Sequence, residues 1–355
     1  MNEEPRLFGI KHSNRDFTKK QSWGKNQFNS SFPAALTAYL HAQNLDCKYL
    51  VVNNLLKVKH KKLAVEDFFG DAPTSENIFY AFEAQYTPYQ QLVIGTLPRV
   101  DLVTQSKIDG RCLTPIEIKL TALPDHTTCN LEENNYGSEI VVRPDTIVYL
   151  ACSIATKIKT EKIEKLDLEK YTKVKDWTDA SEVINFLSHM IKDLDLICIS
   201  LHDNQTPLVL QPIWKTKGKS PLLAENCLDC FVWSDLAFTR LFVDVVKHEI
   251  SNNKKTISRN GRTLIWLFRM LYDFLIAGQF DHKKIIDKLS YNTKNDKAFS
   301  INGKVTHKYM KCVELTIPRI KKDEIKNIIL GGGQELLSPE RRFDAIIFND
   351  TKIFD

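Results

Sequence analysis

The sequence predicts an α/β fold, with a mixed central β-sheet flanked by helices and a mainly helical, basic C-terminal region. Two observations predict the sheet. Val100 to Gln105 and Cys112 to Thr121 are rich in Val, Ile, Leu and Thr, and a glycine turn, Lys107-Ile108-Asp109-Gly110-Arg111, separates them. A third places the helices and the charge. Trp233 to Ile250 and the apolar run from Leu264 to Ala277 have helical length. Between Lys254 and Lys326 there are 17 Lys/Arg against 7 Asp/Glu, a local net of +10, so the rest carries −5 of the overall +5. With 355 residues, 43% of them hydrophobic and 26% charged, the chain can bury a substantial core. Three regions follow: an N-terminal region over 1–75, a core over 76–215, and a helical, basic region over 216–355 that ends in a strand.

The elements read in order. Ser31 and Pro33 open a helix to about His41, because Ser caps well and Pro suits a first turn. Tyr49 to Asn53 is a short strand, followed by a basic stretch to Lys62. Residues 76–91 read as a helix, with Pro88 close to its end. Strands follow at about 92–97, 100–106 and 112–121. The apolar segment Ile140 to Ile154 reads either as a helix broken at Pro144 or as helix then strand. Residues 157–176, rich in Lys and Glu, read as a solvated helix or linker. Leu194 to Leu201 and Leu208 to Ile213 suggest a hairpin. Arg269 and Asp273 are four apart on the later apolar helix and can pair on its face. Arg342 to Phe348 reads as the last strand.

Some classes of protein are disfavoured. The Leu264–Ala277 run carries Arg269 and Asp273 and is shorter than the roughly 20 residues of a membrane span. No Lys/Arg-led apolar segment opens the chain, so the absence of a secretory signal, and with it a cytoplasmic location, is expected. Eight cysteines in a chain this long are expected to be reduced. Cys227 and Cys230 have zinc-ligand spacing, but no second pair completes four ligands. No His-x-His, His-Glu-x-x-His or phosphate-binding glycine loop occurs, so histidine-metal and ATP-dependent chemistries are not expected.

The residues that carry chemistry lie on the predicted hairpin: Asp101, then Glu117 and Lys119 in Ile116-Glu117-Ile118-Lys119-Leu120. Two carboxylates suit a hard cation such as Mg2+, which takes oxygen ligands and keeps several waters. Such a cation stabilises charge developing on a phosphate and acidifies a bound water. The Lys119 ammonium can orient that water or neutralise the attacked phosphate. The Ile118 carbonyl would complete the protein's share of the metal ligands. This set implies phosphodiester hydrolysis. It depends on register. With a three-residue loop at Ile108–Gly110, Lys107 pairs with Arg111 and Asp101 lies opposite Glu117. A two-residue Asp109-Gly110 loop would put the acids on opposite faces. Other acid-x-lysine triplets occur, such as Glu324-Ile325-Lys326 and Asp350-Thr351-Lys352, but Asp344 precedes the latter by only six residues, too few for two strands and a turn. Charges in an otherwise apolar strand are costly unless paired or functional.

With these residues in view, the hairpin resembles the PD-(D/E)xK nuclease core, although Pro98 stands three residues before Asp101 rather than adjacent to it. The resemblance extends further. Residues 23–33, 117–125 and 137–145 are similar to HindVP-type type II restriction endonucleases. It implies a restriction-endonuclease-like core over 76–215 and Mg2+-dependent cleavage of double-stranded DNA at GRCGYC, where R is a purine and Y a pyrimidine. A near-palindromic target implies a homodimer with two active sites. A cognate methyltransferase guarding the same site is the implied partner in the cell.

Glu83 is a candidate third acid, because related nucleases often supply one from the helix before the hairpin. Gln90 is a weaker alternative. Base reading is expected from two polar, basic stretches. Arg259, Asn260 and Arg262 lie in the first, and Asn302, Lys304 and His307 in the second. Either stretch could equally be an ordinary surface loop. Two alternatives stay open: a structure-selective repair or recombination nuclease of the same fold, and a non-catalytic DNA-binding regulator whose hairpin acids are merely salt-bridged.

Overall fold

The computed structural model describes residues 41, 44, 47–52, 58–64, 77–117, 139–160, 166–201, 214–217, 220–223, 235–252, 256–291, 293 and 298–302. Its strands are β1 (Cys47–Val52), β2 (Val58–Leu63), β3 (Ile78–Ala84), β4 (Val100–Ser106), β5 (Cys112–Ile116), β6 (Glu139–Val142), β7 (Trp214–Lys217), β8 (Ser220–Leu223) and β9 (Phe299–Asn302). The helices are α1 (Pro144–Thr160), α2 (Ala180–Val183), α3 (Leu187–Ser200), α4 (Asp235–Asn252), α5 (Arg259–Ala277) and α6 (His282–Lys288). The architecture is mixed α/β.

Strands β3, β4 and β5 form a three-stranded sheet in that order, and both pairings are antiparallel. The other described strands pair two by two, β1 with β2, β6 with β9 and β7 with β8, all antiparallel. The expected mixed sheet is therefore not seen among the described residues. Parallel pairing there is confined to one isolated bridge, Val93 with Phe280. Helix α1 packs on β4 and against α4 and α5, while α3, α4 and α5 pack on one another. One apolar cluster joins Val100 and Val103 of β4 to Ile147, Val148 and Ala151 of α1 and to Leu264, Phe268 and Leu271 of α5. The sheet is thus fixed to the helical layer through α1.

Several elements depart from the sequence expectation, each for a physical reason. Residues 76–91 are not one helix. Ile78–Ala84 is strand β3, and a 3-10 turn runs over Thr87–Leu92, begun by Pro88 in its first turn. Aromatic Phe79, Tyr80 and Phe82 favour a pleated strand. The segment expected as a strand at 92–97 is irregular apart from the Val93 bridge. Leu194 to Leu201 is the end of helix α3 rather than a hairpin arm. Its buried residues Leu187, Met190, Ile191, Leu194, Ile197 and Cys198 recur at helical spacing. The Ile140–Ile154 segment is a strand followed by a helix, with Pro144 as the first residue of α1, where a missing N–H costs nothing.

Other expectations match the structure. Helix α5 carries the Arg269–Asp273 ion pair at 2.8 Å. Ser258 caps its start by accepting from the Gly261 N–H, and Gly278, at φ 76°, ends it in the left-handed conformation that glycine adopts without strain. Cys112, Cys152 and Cys198 are free thiols. No described helix is long and apolar enough to cross a membrane. The expected helix before His41 lies, apart from His41 itself, outside the described residues. So do the expected strand at Arg342–Phe348 and the Cys227/Cys230 pair.

Candidate active site

The hairpin turn differs from the expected one, and the difference matters for the acids. The Ser106 N–H donates to the Arg111 carbonyl at 2.8 Å, and the Gly110 N–H donates to Ser106 at 3.0 Å. The loop therefore holds four residues, Lys107 to Gly110, with Gly110 at φ 72°. That turn alone would set Asp101 opposite Ile116. The ladder then slips by one between Thr104 and Gln105: Gln105 pairs with Cys112, Thr104 with Thr114 and Leu102 with Ile116. Leu113 is the unpaired extra residue of this β-bulge. Its carbonyl accepts from Tyr86 Oη at 3.1 Å. One step beyond Leu102 and Ile116, the register puts Glu117 opposite Asp101. Directly opposed residues of an antiparallel pair share a face.

Helix α1 holds this rung from the side. Thr146 Oγ1 donates to Glu117 Oε1 at 2.8 Å. Tyr149, one turn later, donates from Oη to the Pro98 carbonyl at 2.9 Å and accepts from the Tyr86 N–H at 3.0 Å. Burial pushes the Tyr149 hydroxyl up to about 12, and the nearby Glu117 and Asp145 carboxylates add to the rise. It therefore stays protonated, and a donor, through the neutral range. The approach to Asp101 is tied down as well. Gln90 donates to the Gly95 carbonyl at 2.7 Å and accepts from the Leu97 N–H at 3.2 Å. Gln85 donates to the Leu97 carbonyl. Gln90 is thus occupied in shaping the loop before β4.

Glu83 lies on strand β3 and not on a helix. Phe82 pairs with Leu102 and Ala84 with Val100, so Glu83 stands at the level of Asp101. Its backbone is left-handed, at φ 46°, and its side chain is exposed. Among the described residues, no three His, Cys, Asp or Glu side chains converge as a metal cluster. The donor set on the rung is then Asp101 and Glu117, two half-buried carboxylates. Hard oxygen donors of this kind fit a Mg2+ ion that keeps much of its water. Ile118 and Lys119 lie outside the described residues.

The expected base-reading residues are placed differently from the sequence expectation. Thr256 to Arg262 is not a polar loop but the capped start of α5. Arg262 is fully buried, with its guanidinium over the Trp266 ring at 4.4 Å and a hydrogen bond to Thr293. A side chain so enclosed packs the core and cannot reach a base edge. Asn260 is also buried and donates to Glu249 at 2.8 Å, while Ser258 donates to the same carboxylate at 2.7 Å. Arg259 is exposed at the helix start. Asn302 ends β9, paired with Glu139. Lys304 and His307 lie outside the described residues. Part of the basic surplus is spent internally, since Arg269 pairs with Asp273 and stacks on Trp177 at 4.5 Å. Lys283, Lys284 and Lys288 on α6 are exposed.

Sequence reasoning missed Thr146 and Tyr149. They lie 29 and 51 residues from their partners Glu117 and Pro98, and no local pattern reports such contacts. The only usable signal was Pro144, which marks the helix start that brings them to the rung.

The comparisons with known proteins bear on the same chain. No solved structure matches it. A relative from Haemophilus influenzae, named "Probable type II restriction enzyme HindVP", is 46% identical over 354 residues, covering 100% of this chain and 96% of the relative. The type II restriction enzyme HgiDI of Herpetosiphon aurantiacus is 45% identical over 354 residues, covering 99% of this chain and 98% of the relative. The family model of the HindVP restriction endonucleases matches residues 23–354, and with these full-length relatives it makes this chain a member of the HindVP restriction endonuclease family.

Proposed function

We propose that this type II site-specific deoxyribonuclease hydrolyses double-stranded DNA with Mg2+ held by Asp101 and Glu117, and that its target is GRCGYC. The observation that supports the reading is the register: with the bulge at Leu113, Leu102 faces Ile116, one step before Asp101 and Glu117, and Thr146 donates to the Glu117 carboxylate. When bound, the cation supplies charge stabilisation at the scissile phosphate and acidifies a water.

The chain's own residues do the rest. Asp101 and Glu117 bring carboxylate oxygens that suit a hard cation beside a polyanion. The Ile118 carbonyl is the third protein ligand in this reading. Lys119 orients the attacking water or helps remove its proton. Glu83, at the same level on the neighbouring strand, remains the candidate for a third acid, although no three acidic side chains converge among the described residues. Arg259 and the exposed lysines of α6 are available to phosphates, with loss of affinity at higher salt as counterions are no longer gained by release. Asn302, Lys304 and His307 remain the candidates for base contacts. A near-palindromic target calls for two copies related by a two-fold axis, so the working form in this reading is a homodimer. A methyltransferase of the same specificity protects the host DNA.

The test is incubation of unmethylated plasmid and phage DNA with the purified protein, with Mg2+ or with EDTA, followed by sequencing of the fragment ends. Discrete Mg2+-dependent ends at GRCGYC are expected. Discrete ends at another motif would refute the target. Equal cutting in EDTA would refute the metal.

A further inference from the structure

We propose that Thr146 is a positioning residue that sets the Glu117 carboxylate for metal binding, an inference that rests on reading Asp101 and Glu117 as the metal-holding pair. Glu117 stands one residue past the end of β5. A glutamate side chain there has several rotamers open to it. Thr146 Oγ1 narrows that choice. It donates to Oε1 at 2.8 Å from the first turn of α1, and Thr146 is only 7% exposed. A hydroxyl has one proton to give. Spent on Oε1, it fixes the carboxylate plane without neutralising the charge that a cation needs, as a lysine or arginine in the same place would do.

The donor is itself held rigidly. Tyr149, three residues on and on the same helix face, grips the Pro98 carbonyl and the Tyr86 N–H. Ile147, Val148 and Ala151 between and beyond them are fully buried against the helical layer. One helix turn therefore ties together the residue Glu117 and the segment that leads into Asp101. Groups that hydrogen-bond a metal-ligating carboxylate orient it, and their loss typically costs about 10–100-fold in metal affinity or activity.

The experiment is a titration of the full chain with Mn2+, without DNA, followed by the EPR signal of the free ion. Mn2+ takes the same oxygen donors as Mg2+. Thr146→Val, which keeps the shape and removes the hydroxyl, should weaken Mn2+ binding about 10–100-fold. Thr146→Ser, which keeps the hydroxyl, should bind close to the parent protein. Mn2+ binding by Thr146→Val equal to the parent would overturn the proposal. An equal loss in Thr146→Ser would also overturn it, by assigning the effect to the methyl group. Should Thr146→Val not fold, Thr146→Ala against Thr146→Ser gives the same contrast. Glu117→Gln separates the two levels of the argument. If it binds Mn2+ as the parent does, the metal-holding pair is wrong and the proposal falls with it. If it loses binding while Thr146→Val does not, only the role of Thr146 is refuted.

Discussion

Leu102 pairs with Ile116, one step before Asp101 and Glu117, because the extra residue Leu113 offsets a four-residue turn. Two irregularities cancel. The turn from Lys107 to Gly110 shifts the ladder by one, and the bulge shifts it back before the acids are reached. A bulge re-aims side chains that a regular ladder would send elsewhere.

The bulge makes an unusual prediction about deletions. Leu113 has no partner across the ladder, so its removal irons out the bulge and leaves Glu117 opposite Asp101. That deletion should keep most of the cleavage activity. Removal of both Leu113 and Thr114 slips the pairing by one and turns Glu117 to the other face. Cleavage should then fall at least about a hundredfold, as expected when a reacting group is misplaced. Single-turnover cleavage rates of the two deletions, with circular dichroism to check folding, decide the matter.

Arg262 should behave as a core residue. Its guanidinium is fully buried on Trp266. Arg262→Ala should lower stability by about 2–5 kcal/mol, the usual range for large-to-small changes in a core. Sequence preference in the surviving activity should be unchanged. Urea denaturation and sequencing of fragment ends check the two halves. Relaxed specificity with parental stability would contradict this placement.

Tyr149 predicts an alkaline effect with a definite sign. Its pKa in the folded chain is raised to about 12 from 10.0, chiefly by burial. The folded state therefore prefers the protonated hydroxyl. That contribution is fully present below pH 10 and is lost as the pH rises from 10 towards 12. Tyr149→Phe, which also loses the bond to Pro98, should be less stable than the parent by about 0.5–1.5 kcal/mol at pH 8. The gap should close as the pH climbs above 10. Denaturant midpoints of both proteins between pH 8 and pH 11.5 would show it.

How much of this was legible in the sequence differs from element to element. The β4–β5 hairpin was legible because β-branched runs flank a glycine that a positive φ requires. The three-residue turn was wrong, yet Leu102 faces Ile116 as that turn would have set it, because turn and bulge each differ by one residue from a regular hairpin. A bulge leaves no mark in hydrophobic pattern. Helix α3 was misread because the window began at Leu194. Its helical spacing starts upstream at Leu187 and Met190. Strand β3 was misread because Glu83 and Gln85, both tolerated in helices, obscured the aromatic alternation before them. The start of α5 carried its own correction in Ser258, a good cap, but the nearby Arg and Asn drew attention as polar donors. Whether a polar side chain is buried, as with Arg262 and Asn260, depends on neighbours distant in sequence, and no local pattern states it.

The measurement that tests the central claim most directly is Mg2+-dependent cleavage of unmethylated DNA by Asp101→Asn and by Glu117→Gln, beside a gel shift of the same proteins in EDTA. Each variant keeps the size of its side chain and removes one negative charge from the rung. Cleavage should fall by on the order of a thousandfold in each, comparable to losing one well-placed electrostatic group from an active site. DNA binding in EDTA should remain at the parental level or tighter. Parental cleavage rates in either variant would contradict the account, and the metal-holding role of the Asp101–Glu117 rung would have to be given up.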